Sequence, residues 1–275
     1  MKKVYEEVDI LYNLITYLNA SYTQDMYYSV CFHILQNIEL IPNIHIQELA
    51  DLCYTSPATI SRFCKALKCE SFTQFKEQVQ VGLKLAAKEI HMPAEELVKM
   101  HLQPERSIDV IIDNAIASLQ KCKSSITIQQ VDRLCDIIYD AKKLHFFGFQ
   151  FNKIVASDIQ LKLLKHGKFS YAFADRGDDA QRLEIVDKDS VAIVLSVRGR
   201  IQPIGTLIDA IKARGARVIF VTLNEKSEVI EKCDETFVVA GDEYNFSESS
   251  TIGTTTIKTF FDVLYVRYGI LYPRG

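Results

Sequence analysis

Paired cysteines are what this chain most plainly lacks. Cys31, Cys53, Cys64, Cys69, Cys122, Cys135 and Cys233 are odd in number and contain no C-x-x-C pair. That spacing indicates neither a disulfide framework nor a zinc site, and it fits small buried hydrophobes in a reducing compartment. Long apolar runs are missing too. None is long enough to span a bilayer, and Met1-Lys2-Lys3 leads into acidic, helical sequence rather than a signal-peptide core. A cytoplasmic protein with no membrane partner is expected. Nor is there a cationic excess, since the net charge is −3 over 275 residues. Neither H-E-x-x-H nor G-x-S-x-G occurs, and the histidines have no paired nucleophile at readable spacing, so no catalytic residue, metal or cofactor is expected. Repeats and low-complexity tracts are absent. What is present is 48% hydrophobic content, enough for one substantial core and more naturally two.

Residues 46–67, IQELADLCYTSPATISRFCKAL, organise the first part of the chain. They read as two short helices joined by a tight turn. Ser56 is a good N-cap, because its hydroxyl can accept from an orphaned N–H of the first turn, and Pro57 fits the first helical position. Ile60, Phe63, Cys64 and Leu67 repeat at helical spacing and form the buried face. Thr59, Arg62 and Lys65 point elsewhere, with Ser61 near the boundary. Together with Thr55, Ser56 and Pro57 they are the candidate contacts to a DNA major groove. An ordinary amphipathic helix with a solvated polar face explains these residues equally well. Local charge adds to the first reading: between Arg62 and Lys88 stand six basic residues and two acids, whereas residues 1–61 are acidic.

Apolar stripes at helical spacing make residues 1–89 an all-helical bundle. Met92-Pro93 and Gln103-Pro104 bracket a polar, helix-capable connector, so residues 90–106 read as a linker. From 107 the texture changes. After two helices, β-branched runs at 144–148, 169–173, 190–196, 217–222 and 235–239 alternate with helical segments at 152–166, 179–183, 203–214, 227–232 and 253–268. This predicts a doubly wound α/β domain over 107–275, with a parallel sheet covered on both faces. Ligands in such domains bind at the carboxyl ends of the strands.

Two loops follow strands at that edge. One carries Gly148, Gln150 and Asn152, the other Ser196, Arg198, Gly199 and Arg200. Each has the logic of a phosphate cradle, a Gly for close backbone approach and then a helix N-terminus. The arginines can clamp an anion. Plain βα turns explain a single Gly as well or better. A third polar segment, with Glu248, Ser249 and Ser250, precedes the last helix and reads as an N-cap region or as a lid over the same edge.

The order of parts resembles the RpiR family of bacterial transcription regulators. The resemblance is carried by Ile46, Glu48, Leu49 and Ala50, then Ser56, Thr59, Ile60, Arg62, Phe63, Cys64, Lys65 and Leu67, then Phe72, Phe75 and Lys76. The second half looks like a sugar isomerase (SIS) domain. The resemblance implies a regulator of sugar or amino-sugar metabolism that binds a double-stranded DNA operator, senses a phosphosugar effector and works as a homodimer or higher homo-oligomer. A sugar-phosphate isomerase or lyase with an appended helical domain is the alternative, as is a regulator whose SIS domain is ligand-blind. The chain departs from the family pattern where Tyr54 and Lys68 stand in place of glycines, which implies local strain or an altered turn. It departs again in the effector loops, where Gln150, Phe151, Asn152, Arg198 and Ile201 replace the Gly and hydroxyl residues that usually hold phosphate. An altered or weakened site is expected there.

Overall fold

A computed structural model of the chain describes residues 10–20, 25–89, 94–148, 151–172, 183–239 and 250–273. The chain divides into two compact units between Lys88 and Glu89.

The first unit is helical: α1 (Ile10–Ala20), α2 (Met26–Gln36), α3 (Ile46–Leu52), α4 (Pro57–Ala66) and α5 (Phe72–Glu89). Its core gathers Leu14, Val30, Ile34, Leu49, Ile60, Phe63, Phe75 and Val79, all fully buried. Phe63 lies at the centre, edge-on to Tyr17 at 5.7 Å and tilted against Tyr27 at 5.6 Å. Cys31, Cys53, Cys64 and Cys69 fill gaps in this core. Burial pushes the thiols of Cys53 and Cys69 up to about 11 and that of Cys64 to about 12, so they remain protonated and unreactive at neutral pH. Ser71 caps α5 by accepting from the Gln74 N–H, while the Gln74 amide oxygen accepts from the Glu70 N–H.

The second unit opens with α6 (Ala94–Leu102), α7 (Arg106–Ser125) and α8 (Ile128–Asp140). The expected linker thus contains a formed helix, α6, which Glu96 ties to α7 through a two-pronged pairing with Arg106 at 2.6 and 3.2 Å. Thr127 and Gln130 form a reciprocal capping box at the start of α8. Then come β1 (Lys143–Gly148), α9 (Asn152–Lys165), β2 (Tyr171–Ala172), β3 (Ser190–Leu195), α10 (Thr206–Lys212), β4 (Arg217–Thr222), β5 (Glu235–Val238) and α11 (Ser250–Leu271). The strands form one parallel sheet in the order β2-β1-β3-β4-β5. Alternate strand residues, Phe146, Ile193, Leu195, Ile219, Val221 and Phe237, share a core with α8, α9 and α11. The intervening residues, among them Ala192, Val194, Val218 and Phe220, are buried on the other face, where α10 contributes Leu207, Ile208 and Ile211.

Two expected helices differ. The segment at 227–232 forms only a short 3₁₀ turn, Ile230–Lys232. The helix expected at 203–214 is Thr206–Lys212, preceded by a wide π-type turn, Ile201–Gly205. Most of the short helix expected at 179–183 lies outside the described residues.

Candidate functional site

In the first unit, α4 starts as its sequence dictates. The Ser56 hydroxyl accepts from the Thr59 N–H at 3.2 Å, and Pro57 occupies the first turn. Ser56, Arg62 and Lys65 are exposed, and Thr55, Pro57 and Ser61 are half-buried. Thr59 needs correction. It is only 7% exposed, with its hydroxyl 3.0 Å from that of Ser56 and accepting from Arg62 at 3.4 Å. It therefore belongs to the cap and orients Arg62, and it is not displayed on the open face. The Thr55 hydroxyl lies 3.5 Å from the Met26 sulfur on α2.

Both ends of the α3–α4 pair close in the same way. The Thr55 N–H donates to the Ala50 carbonyl and the Tyr54 N–H to that of Asp51. The Cys69 N–H donates to Cys64 and the Lys68 N–H to Lys65. These are Schellman closures, whose penultimate residue adopts the left-handed conformation. Tyr54 has φ +51° and Lys68 φ +66°. Replacing the glycines has therefore produced strain rather than an altered turn.

The basic patch is smaller than its charge count. Lys76 turns inward, donating to the Ile44 carbonyl at 2.9 Å with its ammonium 5.7 Å from the centre of the Phe72 ring. It holds the chain entering α3. Arg62, Lys65 and Lys68 remain as cations on or beside α4.

In the second unit, the order β2-β1-β3-β4-β5 reverses direction between β1 and β3, so a crevice is expected beyond their carboxyl ends. Gly148 and Ser196 stand there. A Cβ on Gly148 would lie 2.3 Å from the Asn152 carbonyl oxygen, so the first turn of α9 occupies the space that the missing side chain leaves. Asn152 is only 3% exposed. Gln150, Glu248 and Ser249 lie outside the described residues, as does the Ser250 side chain, although Ser250 begins α11.

The loop after β3 is clasped by the loop after β4. The Val197 carbonyl accepts from the Thr222 hydroxyl at 3.2 Å and the Leu223 N–H at 3.3 Å, the Arg198 carbonyl from the Asn224 side chain at 2.8 Å, and the Gly199 carbonyl from the Ser227 hydroxyl at 2.5 Å. The Ser196 hydroxyl, 6% exposed, accepts from the Gly199 N–H at 3.1 Å. Gly199 has φ +58°, and a Cβ there would meet the Ser227 hydroxyl oxygen at 2.4 Å. Ser196 is thus committed within the turn as an acceptor. Arg198 is half-buried and Arg200 exposed. The first turn of α11 reaches the same loop, because Gly253 packs on Val197 so closely that a Cβ would approach it to 2.4 Å. The arrangement offers a rigid backbone and, at Arg200, an exposed guanidinium, a chemistry suited to holding an anion.

Sequence reasoning missed Thr222, Asn224 and Ser227. Their signal was available: Thr, Asn and Ser just past a strand commonly fold their side chains onto the local backbone. It also missed a chain of polar groups at the opposite, amino edge of the sheet. His145 Nε2 lies 3.2 Å from the Ser190 hydroxyl, which donates to Asp187 at 3.1 Å. Serine sits in the middle of this chain, at the edge away from the crevice, so it is a buried relay and not a nucleophile–base pair.

Residues 137–267 match the SIS domain family. The chain is 26% identical over 184 residues to the bifunctional protein glk of Burkholderia mallei, covering 66% of this chain and 27% of that one. It therefore spans about a quarter of the length of such relatives. It is 26% identical over 222 residues to an uncharacterized HTH-type transcriptional regulator, YbbH, of Bacillus subtilis, covering 80% of this chain and 77% of that one. Among solved structures, the Vibrio vulnificus NanR protein complexed with ManNAc-6P shares the fold, with a TM-score of 0.51 and 20% identity over 96% of this chain and 92% of that one. No described helix is long and apolar enough to cross a membrane.

Proposed function

We propose that this chain is an RpiR-type helix-turn-helix protein with a SIS domain, a DNA-binding transcriptional regulator and not an enzyme. Its SIS domain senses a phosphosugar-like metabolite, and it acts on an operator as a homodimer or higher homo-oligomer. The observation that carries this reading is α4 itself, a helix capped by Ser56 whose exposed side holds Arg62 and Lys65 with no carboxylate paired to either among the described residues. Unpaired cations on a short capped helix suit phosphate and base-edge contact. The effector reading is supported by the clasped Ser196–Arg200 loop at the sheet's switch point and by the phosphosugar in the NanR structure.

The test is operator selection from random DNA with the full chain, followed by binding at several salt concentrations. Arg62→Ala and Lys65→Ala each weaken binding, and each phosphate contact removed shallows the salt slope by about one. Unchanged affinity in both variants refutes the assignment. In parallel, a sugar phosphate at about 100 times its dissociation constant stabilises the chain by roughly 2.7 kcal/mol, and Arg198→Ala abolishes that gain.

One observation favours a second reading, a SIS domain that binds no effector. Gln150, Phe151, Asn152, Arg198 and Ile201 stand where the resembled family places the Gly and hydroxyl residues that hold phosphate. A thermal shift with no sugar phosphate decides for it, and turnover of an aldose or ketose phosphate decides for an isomerase.

A further inference from the structure

We propose that Tyr54 and Lys68 are DNA-backbone contacts that flank α4, one at each end; this rests on the DNA-binding reading above. Both occupy the left-handed position of a Schellman closure, at φ +51° and +66°. A side chain there crowds its own backbone, so glycine is the residue such turns favour. The fold does not repay that cost. Tyr54 is 87% exposed, and among the described residues its ring meets only that of His33, in a T-shaped contact at 5.7 Å between centroids. Lys68 is exposed and, like Lys65, makes no ion pair among the described residues. Two strained positions with solvent-facing side chains, placed on either side of the one helix suited to the groove, point to a use outside the chain.

Geometry suggests which use. The ten residues of α4 span about 15 Å at 1.5 Å each, and the turns at its two ends carry Tyr54 and Lys68. With the helix seated in the groove, those turns are the parts left to meet the flanking phosphates. Lys68 then places its ammonium on one strand. Tyr54 donates its hydroxyl to a phosphate oxygen of the other, a role tyrosine commonly fills. Arg62 and Lys65, between them, face the groove.

Four variants of the full chain test the assignment, using operator DNA selected with the wild type. Tyr54→Gly and Lys68→Gly relieve the backbone, so hydrogen exchange of the α3 and α4 amides slows several-fold, yet both variants bind operator more weakly. Tyr54→Phe keeps the strain and loses the hydroxyl, lowering affinity about fivefold, as for one lost hydrogen bond. Lys68→Gly also shallows the salt slope by about one, and Lys68→Arg restores it. The proposal is overturned if the glycine variants bind operator as the wild type does, if Tyr54→Phe is neutral, or if weaker binding comes with faster amide exchange. If the wild type selects no DNA at all, the DNA-binding reading itself has failed, which is a different result from operator binding that ignores these two residues.

Discussion

His145 gives the second unit a pH dependence that can be worked out in advance. The ring is fully buried, stacked on Tyr171 at 5.0 Å with an angle of 11° between the planes. The Ser190 hydroxyl donates to Asp187, so it accepts from His145 Nε2, and the imidazole is held neutral with its proton on that nitrogen. Burial pushes its pKa from 6.5 down to about 4; nearby Asp187 opposes the shift, and Lys143 adds to it. The folded state therefore resists a proton that the unfolded chain takes up below 6.5. The stabilisation is complete above pH 6.5 and is lost as the pH falls towards 4. One pKa unit corresponds to about 1.4 kcal/mol, so the loss is roughly 2 kcal/mol by pH 5 and about 3 kcal/mol by pH 4. Asp187 is held below the usual carboxylate range, chiefly by its hydrogen bond from Lys143, so its own contribution is lost only at the acid end of this window and below. Urea unfolding of the full chain, followed by circular dichroism at intervals from pH 7.5 to 4.5, measures the slope. His145→Gln lowers stability at pH 7 but flattens the second unit's dependence between 6.5 and 4.5. Parallel curves for the two proteins refute the reasoning.

Two further substitutions separate structural roles from functional ones. Gly148→Ala drives a methyl group into the Asn152 backbone at 2.3 Å, so the stability of the second unit in urea falls by about 1–3 kcal/mol, and any sugar-phosphate stabilisation falls with it; an unchanged midpoint shows that the turn has room for a side chain. Lys76→Met removes the donor to the Ile44 carbonyl and costs the first unit roughly 1–2 kcal/mol by thermal unfolding, while leaving the salt slope of operator binding unchanged; a shallower slope returns Lys76 to the DNA-facing patch.

Much of the fold was legible because the signals were local. The run RVIFVT is β4 to the residue, since a strand buried on both faces reads as unbroken apolar sequence. Ser56-Pro57 fixed the start of α4 because the cap and first-turn requirements are satisfied within four residues. What failed depended on partners far away in sequence. Residues 227–232 have helical spacing, yet the Ser227 hydroxyl is spent on the Gly199 carbonyl, 28 residues away, and the segment folds as a clamp with one short turn. Thr59 falls on the open side of a helical wheel, but hydroxyl contacts with Ser56 and Arg62 and packing beneath the cap bury it. Lys76 counted as one more positive charge until a carbonyl 32 residues away claimed it.

Glycine was the least reliable of these local signals, and the structure shows why. At Gly199 the left-handed conformation and the steric demand coincide, because a Cβ would strike Ser227, and no other residue fits the turn as it stands. At Gly148 the demand is purely steric, imposed by the first turn of α9. Tyr54 and Lys68 adopt the same left-handed conformation as Gly199, but their side chains leave the turn towards solvent, so the hydrogen-bond closure survives without glycine. A missing glycine thus marks a lost turn only where the surroundings close in on the Cβ. Where they do not, as on either side of α4, the same substitution leaves the helix ends intact and adds a side chain to the surface beside Arg62 and Lys65.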